Sequence, residues 1–301
     1  MAIPKTTIAI ELGLLLVLAT LWGASYTLIK IGVETIPPVT LIAARTLVAG
    51  GILTAIICWR GLALPDDAAT WRRFLLQACL NSVIPFTLIA WAERSVDAGL
   101  AAILNSTTPI FAFLLTALIT RHEAVASRRL FGVLAGMAGS ALIIGVQALG
   151  GIGHELAAQL AIVAATICYG GAAVLGKGFG HLDPIMPAAG SLICGGVVLL
   201  PISAVVDHPW TLSPSRASLL ALLGLSVFST ALAFVIYFRL MRTLGSVGAT
   251  GQAYLRVPVG VAIGIAVLGE RPSSTAWIGL ACVIVGVVAM TLPQQKPAQA
   301  H

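Results

Sequence analysis

Apolar runs of about 20 residues, long enough to cross ~30 Å of hydrocarbon as a helix, recur along the whole chain. Ten are predicted as transmembrane helices, at 10–30, 38–59, 74–92, 98–120, 130–148, 156–177, 185–206, 217–238, 246–268 and 275–292. Short connections separate them, marked by turn chemistry such as "IPP" (36–38), "LPDD" (64–67), "LDP" (182–184), "DHPW" (207–210) and "RPSS" (271–274). Those connections hold nearly all the charge and leave no room for a soluble domain. Within the runs polar residues are rare and grouped. The densest group is "AILNSTTPIF" (102–111), where Asn105, Ser106, Thr107 and Thr108 precede Pro109.

The pattern repeats. Shifting the sequence by 147 residues matches Gly23 with Gly170, Lys30 with Lys177, Pro37 with Pro184, Gly132 with Gly279 and Gly139 with Gly286. A shift of 149 matches Gly99 with Gly248 and Pro109 with Pro258. Ten helices divide into five and five, and an odd repeat must enter the membrane in the opposite sense the second time. The expected fold is therefore all-α and polytopic, with ten transmembrane helices as two inverted five-helix repeats, 1–148 and 149–301. Inverted repeats are a recurring plan of secondary transporters, with the substrate held near midplane where the halves meet.

Composition agrees. The chain is 58% hydrophobic and 9% charged with a mean hydropathy of +1.01, against about 45–50% apolar and about 25% charged in soluble domains. With the N-terminus cytoplasmic, eleven Lys and Arg fall on the inner side and four on the outer, so both termini are expected in the cytoplasm. The net charge of +6 is then a topology signal, not a nucleic-acid surface. The first 25 residues resemble a signal peptide in outline, but the repeat needs them as its first helix. Five cysteines, Cys58, Cys79, Cys168, Cys194 and Cys282, lie in apolar runs without CxxC spacing and suggest neither disulfides nor zinc.

The order of "WG" (22–23), Lys30, Arg45, Pro109 and the acidic turns "HE" (122–123) and "GE" (269–270) over ten helices resembles the EamA-type drug/metabolite transporter superfamily. Within it the chain is most similar to the YddG-like amino-acid exporters. The resemblance implies a multi-pass carrier of the cell inner membrane that exports amino acids, aromatic ones included. The chain departs from repeat symmetry where Arg45 meets Leu192 and where "TALITRHE" is two residues longer than "IAVLGE". No binding role is transferred from one half to the other on that ground.

Pro109 cannot donate to the carbonyl of Asn105, which leaves an acceptor and four polar side chains within two turns. On a helix Asn105 and Thr108 share a face with Pro109, whereas Ser106 and Thr107 turn away. The first pair is expected at a cavity and the second in bonds to the bundle itself. The matching stretch is "AYLRVPVG", with Arg256 before Pro258 and Gln252 one turn earlier. A charge at this depth costs ~2.5–3.5 kcal/mol even on the lenient insertion scale, so it faces a partner or water. Two readings stay open for Arg256, attraction of a substrate carboxylate or a clamp on helix-terminal carbonyls. Arg45 has apolar neighbours and is read as a structural charge near the outer end of helix two.

The expected substrate-binding set is Trp22, Tyr26, Gln77, Asn81, Asn105, Thr108, Tyr169, Tyr237, Gln252, Tyr254 and Arg256. Aromatic walls with a few placed polar groups suit an amphiphile. Pro85, Pro109, Pro258, Gly245 and Gly248 are expected to break or gate helices. All acids lie in loops or at helix edges, with Glu11 nearest to entering a helix, and no His is inside a run. A proton relay needs such groups, so a facilitator working by alternating access is expected, with a proton-coupled antiporter of drugs or metabolites as the competitor. A sugar-phosphate or nucleotide-sugar carrier would want several cations converging on phosphate. "GAAVLGKG" (171–178) falls one residue short of a phosphate-binding loop and closes a helix. No enzyme chemistry, metal, cofactor or nucleic acid is implied. The expected partners are a small-molecule substrate, foremost amino acids, and the lipid bilayer, around a monomer.

Overall fold

The computed structural model describes residues 5–92, 95, 104–120, 127–144, 152, 155–256, 258–259 and 274–291. Every regular element among them is helical. In chain order these are α1 (Lys5–Gly32), α2 (Pro38–Trp59), α3 (Ala68–Ala78), a π-helical turn (Cys79–Val83), α4 (Ile84–Ala92), α5 (Thr108–Thr120), α6 (Ser127–Ile144) and α7 (Leu156–Lys177). There follow α8 (Ile185–Val206), α9 (Arg216–Ser226), a second π-helical turn (Val227–Leu232), α10 (Ala233–Thr243), α11 (Gly245–Thr250) and α12 (Ser274–Thr291).

Local chemistry sets the helix starts. Pro38 opens α2, where a missing N–H costs nothing. The Asp67 carboxylate caps α3 by accepting from the Thr70 N–H at 2.7 Å, and that bond holds its carboxyl below the usual carboxylate range. Ser215 caps α9 by accepting from the Ser218 N–H at 3.1 Å. The runs predicted at 38–59, 156–177 and 185–206 coincide with α2, α7 and α8. Others differ. The run at 74–92 starts earlier, at Ala68, and passes through a π turn; the run at 98–120 is interrupted at Ser106–Thr107, and its first residues lie outside the described ones. The run at 246–268 is interrupted at Gly251, and 260–268 also lie outside the described residues.

Among the described residues five helical stretches are long and apolar enough to cross a membrane: Ile8–Ser25, Pro38–Trp59, Leu156–Lys177, Ile185–Val206 and Arg216–Thr250. Shorter apolar helices stand beside them. Large side chains such as Trp59 (87% exposed), Leu118, Val205 and Leu220 point outward. A soluble monomer does not carry so broad an apolar exterior, whereas hydrocarbon covers it. The chain is a polytopic membrane protein.

Two antiparallel helix pairs organise the bundle. Along α2 and α8, Thr40 bonds Asp207 (2.8 Å from the backbone N–H) and Ser203, Leu47 packs on Gly196, Gly50 on Ile193, and Arg60 reaches Asp183 at 3.4 Å. The Arg60 pair is exposed and contributes at most ~1 kcal/mol; the buried packing between the ends holds the pair together. Along α6 and α12, a Cβ on Gly139 would stand 2.6 Å from the Gly279 carbonyl oxygen, and one on Gly132 2.6 Å from that of Gly286. The 147-residue shift carries the first of these contacts onto the second. That is the signature of a two-fold relation in which each partner presents the same surface. Gly lets the backbones approach where lipid supplies no hydrophobic drive.

The Pro38 face of the bundle gathers the end of α1 and the start of α9, since the Ser218 hydroxyl donates to the Ile31 carbonyl at 2.8 Å. The opposite face gathers Arg60, Asp183 and the start of α1. We expect Gly139→Leu to lower the midpoint of thermal unfolding in detergent, with a loss of about 2 kcal/mol or more from overpacking. Gly51→Ala, with nothing within 4 Å of the added methyl, should leave the midpoint unchanged.

Candidate functional site

Interruptions of the helices place the polar side chains. Helix ends at Asn105, turns through Ser106 and Thr107, and resumes as α5 with Pro109 in its first turn. The carbonyls this releases are recaptured locally: the Thr107 hydroxyl donates to Leu104 O at 2.6 Å and the Thr108 hydroxyl to Asn105 O at 2.8 Å. Asn105 and Thr108 line a cavity. Ser106 is buried, and Thr107 meets Thr166 at 3.2 Å. The division into two faces expected from helical geometry is thus the one the structure shows.

Around Gly251 the same device recurs. Gly251 N turns to Gly248 O, the Thr250 hydroxyl donates to the released Val247 O at 3.0 Å, and the chain resumes as helix carrying Gln252 and Arg256 into the cavity wall. Arg256 Nε donates to Gln252 Oε1 at 2.8 Å, and its guanidinium carbon stands 5.0 Å from the centre of the Trp22 ring. Gln252 therefore orients Arg256 on the face the spacing implied.

The two π turns supply the rest. A π turn lodges one extra residue in a helix and often marks a functional site. The first ends just before Pro85, which enters α4 without an N–H, and it carries Asn81 and Ser82. The second carries Ser229 and Thr230. Trp22 Nε1 donates to the Ser229 carbonyl at 3.1 Å, while the Ser229 hydroxyl donates to Leu21 O at 2.9 Å. These reciprocal bonds fix the Trp22 ring. Thr230 donates to Leu225 O at 2.7 Å and accepts from Arg45 Nε at 3.1 Å.

The resulting cavity encloses about 1070 Å³ of empty space counted out to its mouth. Trp22, Phe86, Tyr169, Phe234 and Tyr237 form aromatic walls; Ser25, Asn81, Asn105, Thr108, Thr250 and Gln252 add uncharged polar groups, and Arg45 and Arg256 add charge. It reaches Val33 and Pro38 at the Pro38 face. Toward the other face lies an aromatic plug, with ring centres 5.3 Å apart for Phe74–Phe179, 6.1 Å for Phe179–Phe238 and 5.3 Å for Tyr237–Phe238. Beyond it buried Glu11 accepts from Arg239 Nη2 at 2.9 Å and from the Thr243 hydroxyl at 3.0 Å.

Several expectations need correction. Arg45 stands not as a clamp at a helix end but in the cavity wall, because Thr230 and Phe86 from other elements form its surroundings. Tyr254 is fully buried away from the cavity; its hydroxyl donates to Val133 O at 3.0 Å and its ring packs on Gly136. Gln77 is buried near Gly176, outside the cavity lining, with neither amide atom bonded among the described residues. The Tyr26 side chain lies outside the described residues. Gly245, at φ +75°, opens α11 in a conformation other residues rarely adopt. Gly248 lies inside α11, and Pro258 is helical and half-buried. Phe86 and Phe234 were missed; Phe86 follows Pro85, and Phe234 sits three residues before Tyr237 on one helix face, which is the signal that marks both.

The EamA-like transporter family matches the chain twice, over residues 9–145 and 156–292. The chain is 29% identical over 282 residues to the uncharacterized inner membrane transporter YedA of Escherichia coli (strain K12), covering 93% of this chain and 90% of that one. It is 24% identical over 281 residues to a probable terminal-alkyne amino-acid exporter of Streptantibioticus cattleyicolor, covering 92% and 93%. A solved crystal structure at 16% identity superposes with a TM-score of 0.77 over 92% of this chain and 96% of its own, a likeness of fold alone. With both halves matched and a cavity enclosed between helices of each, the chain belongs to the EamA-like transporter family and is a membrane transporter, not an enzyme.

Proposed function

We propose that this transporter exports small amphiphilic metabolites, foremost amino acids including aromatic ones, across the cell inner membrane. The observation that carries the reading is one cavity in which aromatic walls and two arginines converge from elements of both halves. The resemblance of the chain to a probable terminal-alkyne amino-acid exporter supports it, as does its likeness to an inner membrane transporter.

The mechanism is alternating access between two units, residues 1–148 and 149–301, with both termini cytoplasmic. In this orientation the cavity faces outward and the aromatic plug closes the cytoplasmic side. Rocking the units opens the plug and closes the outer mouth around the same central site. Glu11, the acid nearest a carrier position, is engaged by Arg239 and Thr243, and no carboxylate stands among the described cavity residues. Both facts favour a facilitator that moves solute down its gradient over a proton-coupled antiporter. Two interior arginines also fall short of the converging cations a sugar phosphate wants.

Purified protein in liposomes, screened with the twenty amino acids and a sugar phosphate, should move aromatic amino acids; exclusive movement of the phosphate would remove the reading. Counterflow of the moved amino acid should persist after a protonophore collapses the pH gradient, and its abolition would instead establish proton coupling. For topology, Arg60→Cys should react with an impermeant thiol reagent from the cytoplasmic side and Arg216→Cys from the outer side, read against a background lacking the native cysteines. Labelling of both from one side contradicts the inverted arrangement.

A further inference from the structure

The Gln77 side chain is fully buried, and neither its Oε1 nor its Nε2 has a hydrogen-bond partner among the described residues. The fold itself does not demand an amide there. The 148-residue shift that aligns the two π turns pairs Gln77 with Leu225, which is fully buried in an apolar cluster with Ile36 and Leu41. A buried amide with both atoms unbonded destabilises whichever state buries it.

The position of Gln77 identifies that state. It follows the plug ring Phe74 by one turn of α3 and precedes Asn81, in the cavity wall, by about another. Its Nε2 lies 3.8 Å from the point a Cβ on Gly176 of α7 would occupy, and Met241 and Phe238 of α10 each come within 3.6 Å of the same point. The amide therefore sits at the junction of α3, α7 and α10, where the rings of Phe74, Phe179 and Phe238 close the bundle. Parting α10 from the other two admits water to Gln77 and completes its bonds. Packed rings favour closure, and the amide opposes them.

We propose that Gln77 is the built-in opener of the plug, an amide left unbonded while the plug is closed and satisfied by water and the polar groups of cargo once it parts. This rests on the alternating-access reading, in which the plug is the cytoplasmic gate. It gives one side chain the task of keeping the closed gate from becoming too stable to leave.

The test places Met241→Cys, buried at the same junction, in a background lacking the native cysteines and follows its reaction with an impermeant thiol reagent in inverted membrane vesicles and in intact cells. The rate in inverted vesicles reports how often the plug opens. Gln77→Leu, which installs the residue of the repeat mate, should lower that rate about tenfold, the factor carried by one buried hydrogen bond left unmade. It should also raise the midpoint of thermal unfolding in detergent. Gln77→Met, close to glutamine in length, should do the same, which assigns the effect to polarity and not to shape. An unchanged or faster rate in either variant, or a lower midpoint, overturns this inference and leaves alternating access standing. Reaction of Met241→Cys only from the outer side, or from neither side, with Gln77 intact removes the reading of the plug as the cytoplasmic gate, and this inference with it.

Discussion

A bilayer core contains no water to satisfy a broken helix, so each interruption must find its partners within the protein. The described structure obeys this at three of the breaks that build the cavity. Thr107 and Thr108 recapture the carbonyls at the first break, Thr250 that of Val247 at the second, and Thr230 reaches Leu225 O across the second π turn. The hydroxyls that seal the backbone leave the larger groups, Asn105, Gln252, Arg256 and Arg45, to face the space between the halves. Polarity at midplane thus has two tasks, and Thr108 and Thr250 serve both, repairing the helix while they line the cavity beside the longer side chains.

What could be read from the chain follows from how local each cause is. The boundaries of α2, α7 and α8 were legible because length and hydropathy decide them, and Asn105 and Thr108 because helical spacing alone puts them on one face. Arg45 was misjudged because its surroundings were read along its own helix. Thr230, 185 residues away, is what turns an apolar stretch into a cavity wall. Tyr254 failed in the opposite direction. It sits one helical turn from the break beside Arg256, but the hole opened by Gly136 on α6 takes its ring into the core. The π turns had no signal, since one added residue leaves hydrophobic periodicity almost unchanged, and only Pro85 hinted at the first.

The repeat adds a constraint beyond fold. Shifting by 148 carries Asn81 and Ser82 of the first π turn onto Ser229 and Thr230 of the second, and the 147 shift carries Trp22 onto Tyr169. These equivalent positions are treated differently. Ser229 is sewn to α1 by reciprocal bonds, and Thr230 holds Arg45. In the first half the Asn81 amide nitrogen and the Ser82 hydroxyl are buried with no partner among the described residues.

An unmade hydrogen bond in a buried site costs about 1–3 kcal/mol, so the asymmetry is an energetic one between the two halves. On the alternating-access reading the halves exchange roles, and the bond now made by Trp22 to the second π turn has its counterpart between Tyr169 and the first. The Asn81 side-chain nitrogen, without a partner among the described residues, corresponds to the Ser229 hydroxyl, and its bonding to α7 in the opposite conformer would offset the loss of the Ser229–Leu21 bond. A carrier must keep its two end states within a few kcal/mol of each other so that cargo can shift their populations. One made bond and one unmade bond at related positions supply a difference of that size.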